Sequence, residues 1–202
     1  MTKKTPNVYQ FKISLLEVKP SIWRRIQVVE TYTFWDLHVA IQDAMGWEDY
    51  HLHEFNIVNP KTGKNTIIGI PDEDEIADRL TLEGAQQNIR DFFSLNNLNA
   101  RYEYDFGDCW EHLITLEAII PKEPKVKFPK CLAGVRSCPP EDCGGSGGYA
   151  RLLQIIKNAR HPDYQEKITW LGNRFNAEHF DATQVRFESP TKRWKLAFEH
   201  GI

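Results

Sequence analysis

Positive charge is not in excess in this chain: 25 Lys and Arg stand against 28 Asp and Glu, a net charge of −3 over 202 residues. Non-specific nucleic-acid binding needs a basic face that releases counterions, so the net charge gives DNA no support as a partner. Long apolar runs are also missing. None approaches the ~20 residues of a membrane-spanning helix, so no membrane partner is expected. The start, Met1-Thr-Lys-Lys-Thr-Pro6, has no apolar stretch of the kind a secretory signal carries, and the reading is a cytoplasmic protein. Cysteine is scarce, at four (Cys109, Cys131, Cys138 and Cys143). Only one closely spaced pair occurs, which excludes a recognisable zinc finger or ribbon. No lysine follows the glycine cluster in the phosphate-loop pattern, and the glycine spacing differs from the dinucleotide fingerprint. Asp105-Phe-Gly107 matches the metal-binding triplet of protein kinases, but the glycine-rich loop, strand lysine and catalytic loop that accompany it are absent. No repeat of solenoid-like period occurs.

What is present is a globular composition rich in aromatics (six Trp, seven Tyr, eleven Phe), long enough for a sizeable core. Tyr9 to Leu15 alternates with period two, as does Ile22 to Val29, where Arg24 shares a face with Ile22, Ile26 and Val28; the two read as a hairpin. Thr33 and Asp36 form a near capping box before a helical pattern ending at Gly46. His53 to Val58 and Asn65 to Ile70 read as strands around an Asn59–Gly63 turn. Asp72 to Glu75 reads as a solvated loop or helix start. Leu82, Ala85, Ile89, Phe92 and Phe93 predict a helix over Thr81–Leu95. Tyr102, Tyr104 and Phe106, then Trp110, His112, Ile114 and Leu116, predict two more strands joined by a turn. Pro121–Lys130, with Lys122, Lys125, Lys127 and Lys130 among prolines, reads as a solvated linker. Leu152, Leu153, Ile156 and Ala159 predict a helix face, and Pro162 opens a further helix ending near Gly172. From Glu188 no periodicity is visible. The order implies a single α+β domain over residues 7–185, mainly an antiparallel sheet of hairpins packed against several helices, with a tail over 186–202.

Three constellations carry chemistry. Asp105, Asp108 and His112 surround one tight turn. They are the catalytic candidates, with His112 as a base oriented by Asp108, or else a hairpin lock. His51 and His53, spaced two apart, would share a strand face that suits a metal. Cys138-x4-Cys143, with Cys131 upstream and His161 or another residue as a fourth ligand, offers a second metal set, for which zinc is the natural ion. Gly144, Gly145, Gly147 and Gly148 precede a helix, where exposed amides can take an anion. The competing reading has Ser146 capping that helix and Asp142 bonding the amides.

Taken together, Pro20-Ser-Ile-Trp-Arg-Arg25, Thr33-Phe-Trp-Asp-Leu-His38, Trp47, His51-Leu-His-Glu-Phe55, Tyr102-Glu-Tyr-Asp-Phe-Gly-Asp-Cys-Trp-Glu-His112, Cys138-Pro-Pro-Glu-Asp-Cys-Gly-Gly145 and Tyr149 resemble the plasmid Ri open-reading-frame-three-like family over roughly residues 7–185. The resemblance implies an α+β fold. It carries labels of insertion-element passenger and resolvase-like protein, without catalytic residues to transfer. The leading expectation is a cytoplasmic binding or interaction module associated with mobile elements, its partner a protein, with a site built from the hairpin turn and the glycine loop. The alternatives are a metal-dependent hydrolase or nuclease using His51, His53, Asp105, Asp108 and His112, and a DNA-associated accessory protein using Arg24, Arg25 and Lys122–Lys130. Convergence of the motif residues in one pocket separates a mixed His/Asp/Cys site from a set of local locks.

Overall fold

Period-two alternation builds most of this molecule. The computed structural model describes residues 5–71, 80–172 and 175–199; the acidic run Asp72–Glu75 and the first four residues lie outside them. The strands are β1 (Asn7–Leu15), β2 (Trp23–Val29), β3 (His53–Val58), β4 (Asn65–Gly69), β5 (Thr81–Glu83), β6 (Asn99–Tyr104), β7 (Trp110–Pro121) and β8 (Lys130–Val135). They form one sheet in the order β5-β4-β3-β6-β7-β1-β2-β8. All neighbours are antiparallel except β4 and β5. One face is apolar: Phe11, Ile13, Ile26, Val28, Phe55, Tyr102, Tyr104, Trp110 and Ile114 are buried. The other is laced with Arg25–Glu117 and Arg101–Glu111 ion pairs, as expected of an antiparallel sheet with one wet face. Helix α1 (Phe34–Met45) starts in a complete Thr33/Asp36 capping box and stops at left-handed Gly46. Helix α2 (Gly145–Ile156) adds Tyr149 and Leu152 to the same core. Helix α3 (Tyr164–Leu171) follows. The architecture is the expected single α+β domain.

Two local expectations change. Thr81–Leu95 is not a helix but β5 followed by two short 3-10 turns, Gly84–Gln86 and Ile89–Asp91. Its backbone is used elsewhere: Gln87 O accepts from Phe34 N and Ile89 N donates to Tyr32 O, both at 2.9 Å, so no run of i→i−4 bonds forms and Phe93 N to Ile89 O, at 2.8 Å, stands as an isolated one. Ile89, Phe92 and Phe93 are buried all the same, which is why the pattern mimics a helix. Phe106 lies exposed in the expected turn between β6 and β7. Pro121–Lys130 is the expected solvated connection, carrying the chain from β7 past β1 and β2 to the sheet edge. The C-terminal residues, without visible periodicity, form helix α4 (Pro190–Trp194) and a π-helical turn, Lys195–Glu199. Tertiary contacts hold them. Trp194 packs edge-on against Trp35, whose Nε1 donates to Pro190 O at 3.0 Å, and Arg193 pairs with Asp43, Asp49 and Glu188.

Candidate functional site

The turn between β6 and β7 is held by its own side chains. Asp105 and Cys109 adopt positive φ. Asp105 Oδ1 accepts from Gly107 N (2.9 Å) and Asp108 N (3.3 Å). Asp108 does not orient His112. Its Oδ2 accepts instead from Gly144 N at 3.0 Å, and so joins the turn to the start of α2. His112 is fully buried in β7, its Nδ1 on Tyr102 O at 3.3 Å and its Nε2 without a protein partner. Burial pushes its pKa down to about 4, against the raising effect of the Tyr102 and Trp110 carbonyls.

His51 and His53 do not share a face. His51 precedes β3, whereas His53 is buried and stacks on His38 with centroids 3.4 Å apart. Burial and the neighbouring His38 hold the His53 pKa well below the ordinary value. His38 Nε2 bonds Asp49 at 2.8 Å and its Nδ1 meets the Tyr102 hydroxyl at 2.9 Å. Burial pushes the Asp49 carboxyl up, but the His38 hydrogen bond and charge, with Arg193, bring it below the usual range.

The cysteines are all free. Burial pushes the Cys138 thiol up strongly and that of Cys143 to about 12, so both hold their protons at neutral pH. No group of three metal-ligating side chains among the described residues includes a cysteine. The glycine loop answers to packing. A Cβ on Gly145 would lie 2.5 Å from Asp108 O, and one on Gly148 2.0 Å from Cys143 O. Ser146 does not cap α2, whose N-cap is left-handed Gly144 without a side-chain cap. Asp142 bonds His51 rather than the loop amides.

The pieces that do converge lie around a cavity of about 720 Å³. One wall is the end of α1 and the turn after it (Asp43–Tyr50), a second the loop Ser137–Asp142, a third Trp170 and Leu171 with residues of the stretch Phe175–Arg186. Trp47 Nε1 donates to Pro139 O at 2.9 Å and Glu141 accepts from Glu48 N at 2.8 Å and from the Tyr104 hydroxyl at 3.1 Å, which fixes the first wall to the second. The third is clamped by Arg136, bidentate on Glu178 at 2.7 and 3.0 Å, and by the Ser137 hydroxyl on two carbonyls. Asp142, a lining residue, meets His51 Nε2 at 3.0 Å, and Asp105 Oδ2 approaches the same nitrogen at 3.6 Å. Donor atoms of His51, Asp105 and Asp142 all lie within 4.8 Å of one another, a nitrogen–oxygen set able to take a divalent cation.

A model of the plasmid pRiA4b ORF-3-like proteins matches residues 7–184. The chain belongs to that family. It is 31% identical over 191 residues to the uncharacterized protein y4hQ of Sinorhizobium fredii NGR234, covering 92% of this chain and 90% of the relative. It is also similar to MM3350 of Methanosarcina mazei Go1, a protein of unknown function known from a crystal structure. There the identity is 44% and the TM-score 0.85, over 91% of this chain and all of that one. No described helix is long and apolar enough to cross a membrane.

Of the metal-ligand and catalytic candidates read from this family member's sequence, Asp108 meets Gly144 of the glycine loop, and only His51 and Asp105 bring donor atoms together. Asp142 completes their cluster and was missed as a ligand because its partners are 91 and 37 positions away. The cavity was missed too. Its one sequence signal was Arg24, a charged residue on the apolar face of an alternating strand.

Proposed function

We propose that the protein is a binding module whose ligand occupies the cavity between the α1 end, the cysteine loop and the wall formed by Trp170, Leu171 and Phe175–Arg186. The cavity itself carries this reading. Its volume falls in the ordinary range for small-molecule sites, and its lining mixes Trp47, Trp170 and Phe180 with charged groups. The family's description after a plasmid open reading frame supports reading such a module as one associated with mobile elements. A thermal-shift screen of small molecules tests it against Gln184→Trp, which fills the cavity from an exposed lining position. Compounds should raise the melting temperature of the natural protein and not of the variant. Equal shifts in both, or no shift from any compound, would refute it.

A second reading, a metal-dependent hydrolase, draws on the His51, Asp105 and Asp142 donor set. It keeps only two of the five ligands expected from sequence, since His53, Asp108 and His112 are engaged elsewhere. Elemental analysis of the purified protein tests it: about one metal per chain, lost in Asp105→Asn, would support it, and a metal-free protein would end it. The DNA-associated reading has less support, because Arg24 is buried and Arg25 is held by Glu117 at 2.6 Å.

A further inference from the structure

Arg24 is only 1% exposed, yet its guanidinium forms no ion pair among the described residues. Buried charges are ordinarily paired, because an unpaired one carries a large desolvation penalty. Here Nε donates to Ala44 O at 2.8 Å, and Nη1 to Trp23 O and Val135 O at 2.9 and 3.1 Å. Nη2 has no acceptor among the described residues. Ala44 lies in the last turn of α1, whose C-terminal carbonyls offer roughly half a negative charge, so the compensation is incomplete. Phe180 stacks on the guanidinium at 3.7 Å. Gly134 makes that possible, since a Cβ there would lie 2.4 Å from the Phe180 ring. The arrangement is therefore built around the cation.

Arg24 lines the cavity. The carboxylates that also line it are engaged at its walls and rim: Asp43 with Arg193, Glu141 with Tyr104 and Glu48 N, Asp142 with His51, Asp181 with Thr183 and Glu48 with Tyr50. The ionisable groups that act on Arg24 are the thiols of Cys138 and Cys131, and neither is ionised at neutral pH. The wall at Arg24 is thus a positive spot inside a partly aromatic cavity.

We propose that the cavity takes the oxyanion head of a small organic ligand, a carboxylate or a phosphate, on the Arg24 guanidinium. This rests on the reading of the cavity as a ligand site. A guanidinium with a free N–H and a stacked aromatic on one face suits such a head group, while Trp47 and Trp170 offer flat apolar surface to the rest of the ligand.

Isothermal titration with benzoate, its neutral isostere benzamide, and inorganic phosphate tests the inference on the natural protein, Arg24→Met and Arg24→Lys. Benzoate or phosphate should bind the natural protein, and which of the two binds more tightly identifies the head group. Benzamide should bind at least ten-fold more weakly than benzoate. Arg24→Met should weaken the anion by about 10- to 100-fold, the worth of a hydrogen bond to a charged group, while Arg24→Lys should retain part of it. If Arg24→Met fails to fold, the lysine variant and the benzoate–benzamide ratio decide. Benzamide binding as tightly as benzoate, or anion affinity surviving in Arg24→Met, overturns the inference and leaves the cavity reading standing. So does silence from all three probes when the wider screen yields neutral ligands. Silence from the probes and the screen together ends both.

Discussion

Acid should destabilise this fold through His112 before it protonates most carboxylates. The imidazole is fully buried, and its pKa is pushed down to about 4 by burial. In the unfolded chain a histidine titrates near ~6.5. Between those two values the unfolded chain binds a proton that the folded chain refuses. Stability is therefore full above about pH 6.5 and falls by ~1.4 kcal/mol per pH unit below it, flattening near pH 4 after a loss of about 3 kcal/mol. His53 pulls in the same direction, because its pKa too is held below the ordinary value by burial and by His38.

His112→Phe isolates the first contribution. At pH 7 it exchanges a 3.3 Å bond to Tyr102 O and an orphaned Nε2 for an apolar ring of similar shape against Trp47, so stability should change by no more than about 1 kcal/mol. Urea unfolding followed by tryptophan emission at pH 7, 6, 5 and 4.5 should show the natural protein losing about 3 kcal/mol relative to the variant as pH falls. Parallel curves across that range would refute the reasoning, since they would mean that His112 titrates alike in both states.

Two adjacent glycines in α2 should respond oppositely. Gly148→Ala would place a Cβ 2.0 Å from Cys143 O and should cost about 3 kcal/mol or more; Gly147→Ala meets nothing within 4 Å and should gain about 0.5–1 kcal/mol from helix propensity. Denaturant midpoints check the pair, and equal signs would contradict the packing account. Arg193→Ala leaves the half-buried carboxylate of Asp43 without its cation and that of Asp49 with His38 alone and should cost about 2 kcal/mol, less than for a fully buried pair because Arg193 is partly exposed. It should also shift Trp194 emission as α4 loosens, and an unchanged spectrum would argue against docking through this arginine. Cys143→Ser should leave any effect of a chelator on the melting temperature unaltered, because Cys131, Cys138 and Cys143 do not gather into a ligand group; a chelator-induced drop of several degrees that Cys143→Ser abolishes would restore a cysteine-bound metal.

Strands whose alternation matches their burial were legible in the sequence, as were the capping box of α1 and its Gly46 stop, because each is decided by residues close in the chain. The Thr81–Leu95 segment was not. Its apolar spacing fits a helix, and only backbone bonds to Tyr32 and Phe34, more than 50 positions away, exclude one. The candidate site followed the same division. The turn built by Asp105 is local and readable, whereas the bond from Asp108 to Gly144 spans 36 positions and the ion pair of His51 with Asp142 spans 91. His112 was correctly read as inward-facing, yet its partner is a carbonyl across the ladder, which no side-chain pattern reports. Arg24 was placed on the apolar face but not recognised as lining a cavity, because the segment that covers it arrives from Phe180.

The motif residues and the cavity are mechanically connected, even where the motif residues do not touch it. Asp108 is not part of the cavity lining, but its carboxylate holds Gly144, and the loop just before Gly144, Ser137–Asp142, is the second wall. Gly145 packs against Asp108 O so closely that no side chain fits between them. Asp108→Ala removes the hydrogen bond and leaves every lining residue in place. On this account it should lower stability by about 1 kcal/mol, the usual worth of a partly exposed charged hydrogen bond, and it should also weaken whichever ligand the screen identifies, because the loop must be ordered again on binding. Titration of that ligand into both proteins decides the matter. Lower stability with unchanged affinity would mean that the hairpin turn locks α2 and has no part in shaping the cavity.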